Sequence, residues 1–284
     1  MAFKDILVHL DPGPRSLMRC ELAVRVAAAS GAHITAIHAV NIPTAAMFYG
    51  YAMPAVSPGP EELVEMMRAE GWKTASPVEQ AFRGFVQREG IEGEWRVVEG
   101  DPAEVVPLHA RYADLVVVGQ PNRYEPRSDG TDQIPANVVM SSGRPALVIP
   151  FAGNFTTIGA HILVAWNASR EAARAVNDAM PLLKLAKAVT VLAINPKGGV
   201  YGHGEVPAAD ISLHLARHGV KAEATHTVTS DISDGEALLS YSADIGADLI
   251  VAGAYGHSRA REVAFGGVTR TLLNEMTVPV FFSH

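Results

Sequence analysis

Asp248–Phe282, DLIVAGAYGHSRAREVAFGGVTRTLLNEMTVPVFF, decides the fold. Leu249-Ile250-Val251-Ala252 is a short apolar run ended by Gly253, the pattern of a buried strand. Gly256 follows, and nine residues further on stands the pair Gly266-Gly267. Val268, Leu272, Leu273 and Met276 then recur at helical spacing. After Pro279, Val280-Phe281-Phe282 reads as a last strand. The unit is therefore strand, glycine loop, helix, strand.

Glycine tolerates positive φ and lets backbone approach a ligand closely. A helix starting after Gly266-Gly267 turns unpaired N–H groups and the positive end of its dipole toward the loop. At the C-terminal edge of a parallel strand this favours an anion, and phosphate is the natural candidate. The alternative is that the glycines serve only as turns. His257, Arg259 and Arg261 add donors or positive charge beside the loop, or face solvent.

This spacing closely resembles the nucleotide motif of the universal stress protein family, G-x2-G-x9-G-[S/T]. Gly253, Gly256 and Gly266 fit it. Gly267 stands where the hydroxyl residue is expected, and Thr269, two residues on, is the candidate to supply one. Gly267, Val268 and Thr269 are thus the candidate contacts at the helix start.

The motif segment has a partner earlier in the chain. Asp5-Ile6-Leu7-Val8-His9-Leu10-Asp11 matches His161-Ile162-Leu163-Val164-Ala165-Trp166-Asn167 at an offset of 156. Ala113-Asp114-Leu115-Val116-Val117-Val118-Gly119 matches Ala247-Asp248-Leu249-Ile250-Val251-Ala252-Gly253 at an offset of 134, kept by Pro145 and Pro279. Two homologous units follow, expected over 1–152 and 158–284. In each, strands alternate with helices, the signature of an α/β fold with a parallel sheet covered on both faces. Helices are expected over 16–30, with Leu17, Leu22, Val26 and Ala29 on the buried side, and over 61–89, with Pro77 a candidate break. Another runs from Ser169 or Asn167 to about 185, with Pro181 as an awkward point.

The family resemblance spans nearly the whole chain as a tandem pair. It implies a five-stranded parallel sheet in each unit, with Ala146–Ile149 meeting Val280–Phe282 as an intramolecular pair; a homodimer is a further option. It also implies an adenine nucleotide as ligand. An acidic residue after the first strand would lie near the base and ribose, and backbone from the second strand would touch the base. The matching positions are Asn167, flanked by Ala165, and Ile194. Asn167 brings donor and acceptor without charge. ATP is the expected nucleotide, with AMP and ADP as alternatives and Mg or Mn entering only as a phosphate counter-ion. In the first unit the glycine spacing is lost: Asn122, Asp132 and Gln133 match Gly256, Gly266 and Gly267. The first unit is not expected to bind a triphosphate in the same way.

Composition limits the alternatives. The 284 residues are 48% hydrophobic and 19% charged, enough to bury a core. The net charge of −7 and the absence of a Lys/Arg cluster speak against nucleic acid. No apolar run approaches the ~18 residues of a membrane span, and MAFKDILVHLDPGP lacks the pattern of a signal peptide, so a cytoplasmic protein is expected. Cys20, the single cysteine, reads as a small apolar side chain.

Residues 44–60, with Met47, Phe48, Tyr49, Tyr51 and Met53, read as an apolar loop that folds over its own domain, flaps over a pocket or makes a dimer contact. Asp210, His214 and His218 share one helix face and, with His203, have metal-ligand spacing, although a solvated polar stripe has the same pattern. Adenylating motifs after the first strand, G-x4-G-K-[S/T] and G-x-G-x2-G are all absent, and no catalytic base stands out. Slow ATP hydrolysis is the most catalysis expected. The leading reading is a nucleotide-binding regulatory protein of the stress response. The alternative is a scaffold without nucleotide, acting through protein contacts.

Overall fold

The computed structural model describes residues 2–42, 59–122, 124, 131–155, 157–196, 206–255 and 267–284. The chain divides into two compact units, one of Phe3–Ser142 and one built on Gly143–His284.

In the first unit, β1 (Asp5–His9), β2 (His33–Val40), β3 (Gly93–Glu99) and β4 (Leu115–Gly119) form a parallel sheet in the order β3-β2-β1-β4. They alternate with α1 (Ser16–Ser30), α2 (Pro60–Glu89) and α3 (Pro102–Ala110), and α4 (Ile134–Ser141) follows β4. α1 packs on α2 and α3 on α4. Right-handed crossovers place these two pairs on opposite faces, because the strand order reverses between β1 and β4. Leu115, Val116, Val117 and Val118 are accordingly without exposure.

Several local expectations are refined. α2 runs unbroken through Pro77. α1 ends at Gly31, whose φ of +61° is the left-handed conformation glycine adopts without strain. The buried face of α1 passes through Ser16, Arg19, Cys20, Ala23 and Ala27, while Leu17 and Ala29, expected inside, are exposed. Arg19 takes an interior place because its guanidinium is hydrogen-bonded and ion-paired there, as described below. Cys20 is buried, and burial pushes its thiol up to about 12, as befits an inert apolar filler.

In the second unit, β6 (His161–Ala165), β7 (Ala188–Ile194), β8 (Ala222–Thr227), β9 (Leu249–Gly253) and β10 (Val280–Ser283) are parallel, in the order β10-β9-β6-β7-β8. β5 (Ala146–Ile149), which ends the first repeat in sequence, belongs to this unit and pairs antiparallel with β10 through Val148–Val280, Leu147–Phe281 and Ala146–Phe282. The helix expected to reach about 185 is divided at Ala179 into α5 (Arg170–Asp178) and α6 (Met180–Leu183), with Pro181 in the first turn of the second piece. α7 (Ala209–Arg217), α8 (Asp234–Asp244) and α9 (Gly267–Glu275) complete the unit.

The repeated Ala-Asp pair has a structural reason. Asp114 Oδ2 accepts the amides of Lys4 at 2.7 Å and Asp5 at 3.2 Å. Asp248 accepts those of Ala160 at 3.0 Å and His161 at 2.9 Å. In each unit one carboxylate thus fixes the start of the central strand against its neighbour.

Phe281 is fully buried between β9 and β5. Phe281→Ala is expected to lower stability by about 3–5 kcal/mol, measured by urea denaturation; a loss below 1 kcal/mol would contradict this packing.

Candidate functional site

In the second unit the strand order reverses between β6 and β9, so the connections leave these neighbours toward opposite faces. α/β sheets place ligands in the crevice at such a point, beyond the C-terminal strand ends. A cleft of about 320 Å³ opens there, a size typical of small-molecule sites. Its floor is Ala165 and Asn167 at the end of β6, Ile194 at the end of β7 and Ala252–Gly253 at the end of β9. Gly267, Val268 and Thr269, the first turn of α9, form one wall, and Ser233–Gly235 at the start of α8 form another.

Of the residues singled out from the sequence, Ala165, Asn167, Ile194, Gly253, Gly267, Val268 and Thr269 thus meet around one cleft. Gly256, His257 and Gly266 lie outside the described residues, as do Arg259, Arg261, His203 and positions 44–58 of the apolar segment. The rings of His214 on α7 and of His218, just past its end, lie 4.6 Å apart. Among the described residues no group of three metal-ligating side chains comes together.

Two glycines do different work here. A Cβ at Gly253 would stand 2.5 Å from the Ala172 nitrogen and from the Glu171 carbonyl carbon. This glycine makes room for the first turn of α5, not for φ. Among the described residues, a Cβ at Gly267 would meet nothing within 4 Å.

Thr269 is buried, and its Oγ1 accepts the Tyr255 amide at 3.3 Å. The hydroxyl therefore anchors the loop that leaves β9. Tyr255 holds a φ of +59°, uncommon for a bulky residue, and packs edge-on against His284. Asn167 Oδ1 accepts the Ser169 amide at 3.1 Å, and Ser169, not Asn167, caps α5 by accepting from Ala172.

At the corresponding strand ends of the first unit, a buried side-chain network lies against Gly119. Arg19 Nε donates to the His9 carbonyl at 2.7 Å, and its Nη2 donates to Asp11 Oδ2 at 2.5 Å and to Ser16 Oγ at 3.3 Å. A Cβ at Gly119, the counterpart of Gly253, would lie 2.1 Å from Arg19 Nη1. Burial works to raise the Asp11 carboxyl, but attraction to Arg19 and His9, with hydrogen bonds from Arg19 and Gly13, holds it well below the usual carboxylate range. His38, buried beside this pair, bonds through Nδ1 to the Leu10 carbonyl at 2.9 Å. Burial, its largest influence, lowers its pKa. Asp132 and Gln133 form a 3₁₀ turn before α4, where the second unit has glycine.

Sequence reasoning missed Arg19. Its only signal was a cation on the apolar side of a helix, four residues after the turn Asp11–Arg15. At the offset of 156 the second repeat carries Ala175 in its place.

The universal stress protein family model matches residues 2–150 and again 160–284. The chain belongs to this family. Among solved structures, a universal stress protein from Archaeoglobus fulgidus DSM 4304 superposes with a TM-score of 0.72 at 15% identity, over 98% of this chain and 97% of that one. A functionally unknown protein from Pseudomonas aeruginosa PAO1 gives 0.59 at 12% identity, over 99% and 92%. At these identities the likeness is one of fold. Among curated proteins none matches.

Arg19→Ala leaves a buried carboxylate without its cation and is expected to cost about 3–5 kcal/mol. Because the folded-state pKa of Asp11 is depressed, its contribution is complete above the unfolded value of about 3.9 and is lost as pH falls below that. The stability gap between wild type and Asp11→Asn should therefore not shrink from pH 7 to about 5, where protonation of the neighbouring His9 can only add to it, and should shrink below about 4. Chemical denaturation at stepped pH measures it; a gap that shrank between pH 7 and 5 would contradict the assignment.

Proposed function

We propose that the protein binds one adenine nucleotide, ATP in the first instance, in the second repeat, and serves as a regulatory component of a stress response. The cleft at the ends of β6 and β9, with the first turn of α9 opening into it, carries this reading. The unpaired amides and positive dipole end of α9 suit a phosphate. The apolar floor of Ala165, Leu192, Ile194 and Ala252 suits a flat base. The first repeat, with Arg19 paired to Asp11, would act as the structural member of an intramolecular pair.

Among the described residues no helix is long and apolar enough to cross a membrane. A cytoplasmic location agrees with that and with the nucleotide reading. Divalent metal would enter only with the phosphates.

Mass spectrometry of small molecules released from denatured protein, followed by calorimetric titration with ATP, ADP and AMP, tests the proposal. About one adenine nucleotide per chain is expected. Gly267→Asp is the informative variant. Its side chain meets none of the described residues and its charge favours the helix start, so the fold should be retained, with a thermal melt as the check. The same charge opposes phosphate, and affinity for ATP should fall at least tenfold. Nothing released and no heat on titration would favour a scaffold that works through protein contacts.

A further inference from the structure

We propose that Asp234 is a specificity-determining residue of this cleft, accepting hydrogen bonds from N–H or O–H donors on the neutral nucleoside part of the ligand. The inference rests on the nucleotide reading above and adds to it which end of the ligand is read by a side chain.

Asp234 is the first residue of α8 and lines the cleft wall beside Ile194. Its Oδ1 accepts from Asn195 Nδ2 at 2.8 Å. No described residue donates to the other oxygen. Asn195 is itself held tightly. Its amide donates to the Thr227 carbonyl at 2.9 Å, and its Oδ1 accepts the Thr229 amide at 2.9 Å. Its φ of +47° is in the left-handed region, which a non-glycine residue occupies at some cost. The carboxylate, exposed at the cleft wall, is thus held on one oxygen by a fixed partner.

The helix does not require this acid. α8 is already capped by the reciprocal bonds of Ser233 and Glu236. At the equivalent helix start in the first repeat, Asp101 is the cap and Pro102 takes the place of Asp234. The same local structure therefore forms without a carboxylate at this position.

An ionised carboxylate only accepts hydrogen bonds. Among the described lining residues it is the only charged side chain, so nothing there converts it into a partner for phosphate. Phosphate is favoured instead at the amide-rich start of α9. The cleft thus has an anion-attracting wall and an anion-repelling one, and a nucleotide fits with its donors toward Asp234. Two donor sources share this chemistry: the ribose hydroxyls and the exocyclic amine of adenine.

Calorimetric titration of wild type, Asp234→Asn and Asp234→Ala with ATP, 2′-deoxy-ATP, ITP and AMP separates them. Asparagine keeps the acceptor for Asn195, and unchanged thermal melts confirm that both variants are folded. Wild type is expected to bind 2′-deoxy-ATP or ITP roughly tenfold more weakly than ATP, and Asp234→Ala should erase that gap. Loss of the deoxy gap identifies the ribose, and loss of the ITP gap identifies the amine. Equal affinities for ATP, 2′-deoxy-ATP and ITP in wild type, with ATP binding unchanged in Asp234→Ala, would overturn this inference while leaving the nucleotide reading intact. So would an Asp234→Asn variant that tightens ATP more than AMP, because that places the acid beside the phosphates. Wild-type protein that binds none of the four would overturn both.

Discussion

Gly253 against the first turn of α5 is the contact on which the second unit's site depends. Backbone atoms of Glu171 and Ala172 occupy the space a Cβ would need. That approach sets α5 tight against the ends of β6 and β9, fixes the Asn167–Ser169 turn and leaves the crevice open on the side of α8 and α9. Backbone cannot yield as a flexible side chain can, so this glycine is a packing requirement before it is a ligand contact. The surfaces of the cleft are then supplied by element ends: strand termini below, helix starts at the walls.

The first repeat uses the same skeleton to the opposite effect. There the glycine at the end of β4 faces a guanidinium instead of a helix backbone, and the Arg19–Asp11 pair lies beside it with His9, Ser16 and His38 close by. A buried pair of this kind contributes little net stability over apolar packing, yet breaking it exposes an uncompensated charge. Divergence between the repeats consists of moving charge within a constant frame: Asp11 and Arg19 in one, Asn167 and Ala175 in the other, with Asp234 where the first has Pro102.

Much of the frame was legible in the chain. Short Ile/Val runs and the duplicated Ala-Asp pairs marked strand positions and the repeat, and the glycine spacing pointed to the ends of β6 and β9, where a cleft lies. Seven of the ten positions proposed for the ligand line one cleft, and the other three lie outside the described residues. Less legible were Leu17 and Ala29, which periodicity placed inside and packing left outside, and Pro77, which α2 carries without a break. Single-residue periodicity fails at such points because burial is decided by what packs opposite.

The sequence by itself determined the α/β class, the duplication, and the approximate positions of the strands and most helices. These follow from local propensity and from a repeat long enough to be read by offset. The tertiary structure decided the rest. It put β5 antiparallel to β10 in the second unit, turned Arg19 inward to meet Asp11, and brought Asp234 within reach of Asn195 across 39 positions of sequence. None of these is written in local pattern, because each depends on two segments meeting only after the strands between them have taken their order in the sheet.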